Sequence, residues 1–325
     1  MNKIRFVIIG CGYQAEKNMG PAMHKSANVA LCGVYDVLSE RAQVLANRYD
    51  VAAYTSYDEV LEDSDIDAVY ISTPTVYHKE LCILAAKAGK HVLCEKSLAM
   101  DPSEAQEIAA ACRKSGVAIM EGFMYRHHTQ HSFVQNMVKQ GEIGEPWLFS
   151  AWFGFPSFPP SDFRMNKAMG GGALLDAGAY VINAARFSFR SEPASSHAYL
   201  QLNKDGLDMR GTAILDFGGG RTAEVAFGMN NSYKNSYSIW GTKGEITLLR
   251  AFSIPAWEQP VAVIKNQGLK REYILPACDH FAEELKGFAT LIQEQKYDYD
   301  EPILQAKALD LLRVGEKCDK RPHHD

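Results

Sequence analysis

The sequence predicts an α/β chain: a doubly wound parallel sheet over residues 1–122, then an α+β domain over residues 123–325 built on an open, mainly antiparallel sheet. Three observations lead there. Short β-rich apolar runs alternate with helical patterns up to Gly122, as in successive βαβ units. From His197 onward, strands of alternating polarity are separated by glycine-containing turns, the pattern of an antiparallel meander. The length of 325 residues is enough for two cores.

Composition narrows the function. With 46% hydrophobic residues, 22% charged residues and a net charge of −5, there is no basic excess to track a phosphate backbone, so nucleic acid is not expected as a partner. The seven cysteines (Cys11, Cys32, Cys82, Cys94, Cys112, Cys278 and Cys318) are scattered and form no C-x-x-C pair, which points to reduced thiols in a cytoplasmic protein. The opening MNKIRFVIIG has too short an apolar run for a signal peptide, and no apolar stretch is long enough to span a membrane.

Taken in order, Ile4 to Ile9 is an apolar strand that ends in Gly10-Cys11-Gly12-Tyr13-Gln14-Ala15, a G-x-G-x-x-A turn into a helix. Such a turn lets the backbone approach a pyrophosphate, which then sits on the helix N-terminus. A ligand-free tight turn would look the same. The context decides: a second strand, Val29 to Tyr35, ends in Asp36, about 20 residues on, where an acid accepts both ribose hydroxyls of NAD. This is the Rossmann arrangement, with Gly10, Cys11, Gly12, Tyr13, Gln14 and Asp36 as cofactor-binding residues. Val37 and Leu38 offer no base for a 2′-phosphate, and the nearest cation is Arg41, one turn into the next helix, so NAD is expected over NADP.

Ser39 to Arg48 then reads as a helix, Ala52 to Tyr54 as a short strand and Ser56 to Asp63 as a helix. Ala68 to Ile71 is a strand stopped by Pro74. Its loop, Ser72-Thr73-Pro74-Thr75, opens on the same edge as the glycine turn, which adds Ser72, Thr73 and Pro74, with His78 beyond them, to the cofactor set. A helix follows from His78 to a Gly89 cap. Val92, Leu93 and Cys94 run into Glu95 and Lys96 at a strand's carboxyl end, where open α/β sheets bind ligands. The pair is either a solvated ion pair or a cofactor-facing glutamate with a catalytic lysine. A helix from Asp101-Pro102 to about Lys114 and a strand from Val117 to Met120 complete the domain.

In the second domain a helix from about Gln130 to Lys139 closes at Gly141. A long irregular segment, Phe153 to Met169, reads as a binding or covering loop. Gly170-Gly171-Gly172 then feeds an apolar helix on which Asp176 and Tyr180, four apart, share a face. They are a functional polar stripe, or else Tyr180 is a core residue and Asp176 an exposed acid. Strands are expected at Ala198–Leu202, Gly211–Phe217, Thr222–Phe227, Ser236–Trp240 and Glu245–Leu249, with helices at Phe281–Gln293 and Ile303–Lys317 before a frayed tail, Arg321-Pro322-His323-His324-Asp325. His127, His128 and His131 cluster, but adjacent residues rarely face one ion and no further ligand lies at suitable spacing, so no metal site is expected.

These residues resemble the glucose-fructose oxidoreductase, inositol dehydrogenase and rhizopine-catabolism (Gfo/Idh/MocA) family over nearly the whole chain. The shared pieces are GCGYQA, STPTVYH, CEKS where that family has Glu-Lys-Pro, EGFMYRHH, GGGALLDAGAY and IWGTKGEI. The resemblance implies an NAD(P)-dependent dehydrogenase or reductase acting on a sugar-type substrate, and a homodimer or homotetramer. It implies catalytic roles for Lys96, Asp176 and Tyr180, which also contact substrate. Tyr125, Arg126, His128 and Arg164, on the surrounding loops, are further substrate candidates. Tyr180 stands where many relatives have histidine, and FGFPSFPPSDFR is similar to the branch of sugar and nucleotide-sugar ketoreductases. Ser97 replaces the family's proline, whose preceding peptide is often cis; here the Lys96–Ser97 bond is either cis, or trans with Lys96 aimed differently.

Hydride transfer to a carbonyl leaves an alkoxide that needs a cation beside it and a proton donor. Lys96 suits the first role and Tyr180 the second, with Asp176 orienting Lys96 or binding a substrate hydroxyl. A glycoside hydrolase that uses NAD transiently, or a regulator that binds dinucleotide without turnover, would share the architecture.

Overall fold

In the computed structural model of the chain, residues 3–314 are described. Cys318, the expected helix end at Lys317 and the expected tail lie outside them. The first sheet is built from β1 (Ile4–Ile9), β2 (Val29–Tyr35), β3 (Ala52–Ala53), β4 (Ala68–Ile71), β5 (His91–Glu95) and β6 (Ile119–Gly122). All pair in parallel, in the order β3-β2-β1-β4-β5-β6. Burial on both faces explains why the stretch from Phe6 to the end of β1, and β4, read as apolar runs: Phe6, Val7, Ile8 and all of β4 have no exposed surface.

The connecting helices are α1 (Gly20–Lys25), α2 (Ser39–Tyr49), α3 (Tyr57–Glu62), α4 (His78–Lys87) and α5 (Pro102–Ser115). Local chemistry sets their ends. The Ser56 hydroxyl accepts from the Glu59 N–H, and the Asp101 carboxylate accepts from Ser103 and Glu104 at 2.8 and 3.0 Å. Gly89 and Gly116, at φ 76° and 66°, follow α4 and α5 in the left-handed region. A π-helical stretch, Ala15–Met19, leads into α1, a detail the glycine motif does not encode.

The strand order reverses between β1 and β4, the switch point at which such sheets bind ligands. Register aligns Ile9 with both Tyr35 and Ile71, Ile71 with Cys94, and Glu95 with Gly122. Gly10, Asp36, Ser72 and Lys96 therefore leave the sheet along one edge.

Next come α6 (Thr129–Lys139), β7 (Pro146–Phe155), α7 (Ala179–Phe189), β8 (Ser195–Leu202), β9 (Asp208–Asp216), β10 (Thr222–Met229), β11 (Lys234–Gly241), β12 (Gly244–Leu248), β13 (Val261–Asn266) and β14 (Leu269–Ile274). The second sheet runs β14-β13-β12-β11-β7-β10-β9-β8, antiparallel except for β7 against β10. β7, β13 and β14 were not expected. β7 lies between β11 and β10 and buries Phe149, Ser150 and Ala151 in succession, so it lacks the alternation of a half-buried strand. β14 is an edge strand of mostly exposed, charged residues and gives little apolar signal. The segment expected to be irregular from Phe153 begins only after Phe155.

The described residues end with α8 (His280–Glu294) and α9 (Glu301–Val314). It divides into two units: residues 1–128 with 278–306, and residues 129–277 with the remainder. The expected boundary at residue 122 differs from this at both places. Residues 123–128 and α8 pack with the parallel sheet because α8 buries Leu285, Phe288 and Ala289 completely, with the Phe288 ring 5.9 Å from that of Phe6. Among the described residues no cysteine forms a disulfide, and no helix is long and apolar enough to cross a membrane.

If α8 belongs to the first core, Phe288→Ala should destabilise the protein by about 3–5 kcal/mol in urea unfolding. A loss below about 1 kcal/mol would mean that the helix is only loosely attached.

Candidate functional site

The glycine turn is shaped by contact with the loop after β4. Gly10 adopts φ +93°, and a β-carbon there would lie 3.0 Å from the Ser72 carbonyl group, so no other residue fits without displacing backbone. The Gly10 N–H donates to the Tyr35 carbonyl at 2.8 Å, while the Ser72 hydroxyl donates to the Gly10 carbonyl at 2.7 Å. Asp36 is fixed to the same rim: its carboxylate accepts from the N–H groups of Cys11 at 2.7 Å and Leu38 at 2.8 Å. Beside Gly12 there is open space where a β-carbon would point, Tyr13 is exposed, and the Gln14 amide oxygen accepts from Asn18. Burial pushes the Cys11 thiol up to about 12, so it is neutral. Arg41 is exposed near the start of α2. The Thr73 hydroxyl oxygen is buried without a protein partner. A glycine rim, a fixed carboxylate and an unsatisfied hydroxyl together fit a dinucleotide.

Lys96 follows directly from β5 and is half-buried. Its flanks are held by side chains from three other elements. On one side the Tyr70 hydroxyl donates to Glu95 Oε1 at 2.5 Å. On the other, the Ser97 carbonyl meets His78 Nδ1 at 3.0 Å and the Leu98 N–H donates to Glu121 Oε1 at 2.9 Å. The Lys96–Ser97 peptide is cis. His78 Nε2 also meets the Thr73 carbonyl at 2.8 Å, so this buried ring ties the cofactor loop to the lysine segment. Burial lowers its pKa.

The crossing segment is less open than its sequence implies. Tyr125 and His128 have no exposed surface. The Tyr125 ring meets Phe123 edge-on at 6.1 Å, and His128 meets His280 edge-on at 5.9 Å. Arg126 is ion-paired to Glu301 at 2.7 Å. Burial lowers His127 and His128 to about 4, so both are neutral at physiological pH.

In the second unit the glycine run is a close-packed seam. A β-carbon on Gly171 would lie 2.4 Å from the Arg164 carbonyl oxygen, and one on Gly172, at φ +115°, 2.3 Å from Asp208 Oδ1. The Asp208 carboxylate accepts from the Leu174 N–H at 2.5 Å, and burial raises its pKa to about 6. The helix that follows opens with a π-helical stretch, Leu174–Gly178, before α7. Asp176 pairs with Arg164 Nε at 3.1 Å. Arg164 also pairs with Asp162 and lies 4.7 Å over the rings of Phe158 and Phe163. Tyr180 is 4% exposed, with its ring 5.1 Å from Phe153 and 5.9 Å from Phe252. Tyr180 is thus both a core aromatic and a candidate donor.

Tyr70, Glu121, Asp208 and Phe252 hold these residues and were not foreseen. Tyr70 alone carried a signal, a hydroxyl inside an otherwise apolar strand. Among the described residues no group of three His, Cys, Asp or Glu side chains could hold a metal ion.

Comparison with known proteins agrees with this geometry. Residues 4–123 match the NAD-binding Rossmann domain of an oxidoreductase family, GFO/IDH/MocA, and residues 131–247 match the GFO/IDH/MocA C-terminal domain. The dTDP-3,4-didehydro-2,6-dideoxy-alpha-D-glucose 3-reductase of Actinomadura kijaniata is 36% identical over 318 residues, which cover 97% of this chain and 96% of the relative. A crystal structure of a 3-ketoreductase from that organism, in complex with NADP and TDP-benzene, superposes with a TM-score of 0.93 at 35% identity, covering 97% of this chain and 98% of that one. The aldose-aldose oxidoreductase of Caulobacter crescentus, complexed with glycerol, shares the fold with a TM-score of 0.89 at 24% identity, covering 97% of each chain.

Because Gly172 has both a positive φ and a carboxylate against it, Gly172→Ala should cost about 2 kcal/mol or more of stability. Thermal unfolding measures this, and an unchanged midpoint would show that the seam relaxes freely.

Proposed function

The chain belongs to the GFO/IDH/MocA oxidoreductase family, and from that premise we propose that it reduces the 3-keto group of a nucleotide-linked deoxysugar. It is an NAD(P)-dependent oxidoreductase acting on a hydroxyl or carbonyl carbon of a sugar or sugar-like substrate. The observation that most favours the narrower substrate is the end-to-end correspondence with the Actinomadura 3-reductase, which extends through both units rather than the dinucleotide domain alone.

The cofactor, when bound, supplies the hydride. Lys96 acts as the cation beside the carbonyl oxygen, stabilising the negative charge that develops there. Its clamped backbone limits the reorganisation needed in the transition state. Tyr180 gives the alkoxide its proton from the phenol, and the rings of Phe153 and Phe252 around it limit water. Asp176, steadied by Arg164, accepts a hydrogen bond from a substrate hydroxyl.

We read NAD(H) as the preferred cofactor, although the solved 3-ketoreductase holds NADP. The support is local to this chain. Asp36 is a carboxylate anchored by two backbone N–H groups, so it presents a fixed acceptor to bare ribose hydroxyls and a fixed negative charge to a 2′-phosphate. Exposed Trp147, Tyr199, Ile214 and Trp240 on strands of the second sheet support a homodimer or homotetramer, which we place in the cytoplasm.

Two measurements test the reading. With a dTDP-linked 3-keto sugar and reduced nicotinamide, Lys96→Met should abolish turnover while dinucleotide binding persists, and Tyr180→Phe should lower kcat by about 100- to 10,000-fold. Wild-type kcat in either variant would remove that residue from the chemistry. With both cofactors compared, kcat/KM should favour NADH by at least roughly tenfold, about 1.4 kcal/mol. A preference for NADPH would show that Arg41, not Asp36, sets the pocket.

A further inference from the structure

Behind the strand end that carries Lys96 there is a second buried carboxyl group. Glu284, on α8, is 1% exposed, and its Oε1 has no hydrogen-bond partner. Phe288, one turn further along α8, packs on Phe6, and by register Tyr70 and Glu95 lie on that same face of the parallel sheet; both carboxyls raise the pKa of the buried Tyr70 hydroxyl. Two buried carboxyls in that relation cannot both be ionised. The geometry decides which keeps the charge: Glu95 accepts the 2.5 Å bond from Tyr70, whereas the buried Glu284 Oε1 accepts none.

We propose that Glu284 is a positioning residue for Lys96: as the neutral member of a buried carboxyl pair, it leaves the negative charge on Glu95, at the strand end from which Lys96 projects. An anionic Glu95 keeps its bond to Tyr70, and with it the position of the strand end that carries Lys96. The inference rests on the reading of Lys96 as the reacting cation. Burial and the Glu95 charge both hold the Glu284 carboxyl well above the usual range.

The buried histidines make stability rise with pH up to about 6.5, but that contribution is common to wild type and Glu284→Gln and cancels in their difference. Tyr70 faces this region from β4 and is pushed upward, while burial lowers His280, one turn earlier on α8, to about 3 and His127 and His128 to about 4. A carboxyl whose folded pKa is raised adds stability that is complete below its unfolded value, about 4.3, and is lost as the pH rises towards the folded one.

The test compares Glu284→Gln, a neutral isostere, with Glu284→Leu. From about pH 5 to about pH 8, wild type should lose stability relative to Glu284→Gln by up to about tenfold in the unfolding constant per pH unit. Parallel stability curves would overturn the carboxyl pair. Glu284→Leu should lower kcat by about tenfold at unchanged dinucleotide affinity, with Glu284→Gln recovering most of the loss. An unaltered kcat in Glu284→Leu, or a loss that Glu284→Gln does not repair, would overturn the positioning role. If Lys96→Met proved active, the lysine reading would fail on its own, because the pH-stability comparison needs no turnover.

Discussion

A lysine at the end of a buried strand acts at one point only when the backbone on both sides of it is fixed. Around Lys96 the fixing groups come from far apart in sequence: Tyr70 on Glu95, His78 on Ser97 and Glu121 on Leu98. Two are side chains of the parallel sheet and the third opens α4, so the precision of the lysine is a property of the whole first unit. His78 extends the constraint, since the ring that holds the Ser97 carbonyl also holds that of Thr73, beside the glycine turn. A neutral imidazole has one N–H, and both of its partners here are carbonyl oxygens, so only one contact is a full hydrogen bond in the form that burial favours.

The buried titratable groups of this unit share a theme. His127, His128, His280, Glu284 and Tyr70 are all driven towards their neutral forms by desolvation. Little mobile charge remains beneath the strand ends. The charged groups nearer the surface are then Asp36, the half-buried Lys96 and, in the second unit, Asp176 with Arg164.

Much of this was legible in the sequence, and the failures have physical causes. The Rossmann half could be read element by element because strand and helix ends carry local punctuation: Gly10 at its positive φ, Pro74, the Asp101 cap, Gly116. The candidate residues Lys96, Asp36, Asp176 and Tyr180 were identified from position and motif. What supports them was not, because Tyr70, Glu121 and Asp208 act through contacts that no local pattern encodes. β7 was missed for a related reason: a central strand hides its period when both faces are buried. The attachment of α8 to the first unit is likewise a long-range fact, decided by Phe288 against Phe6.

That attachment bears on how the chain emerges during synthesis. The second unit is inserted within the first, between residues 128 and 278. At about 5–20 residues per second, the roughly 150 residues between them take about 8 to 30 seconds to make. Through that interval the parallel sheet lacks the cover that α8 gives Phe6, while all the strands of the inserted unit are made. The residue that closes over Phe6 is thus made only after the whole inserted unit, so the last step in completing the first core is set by chain order.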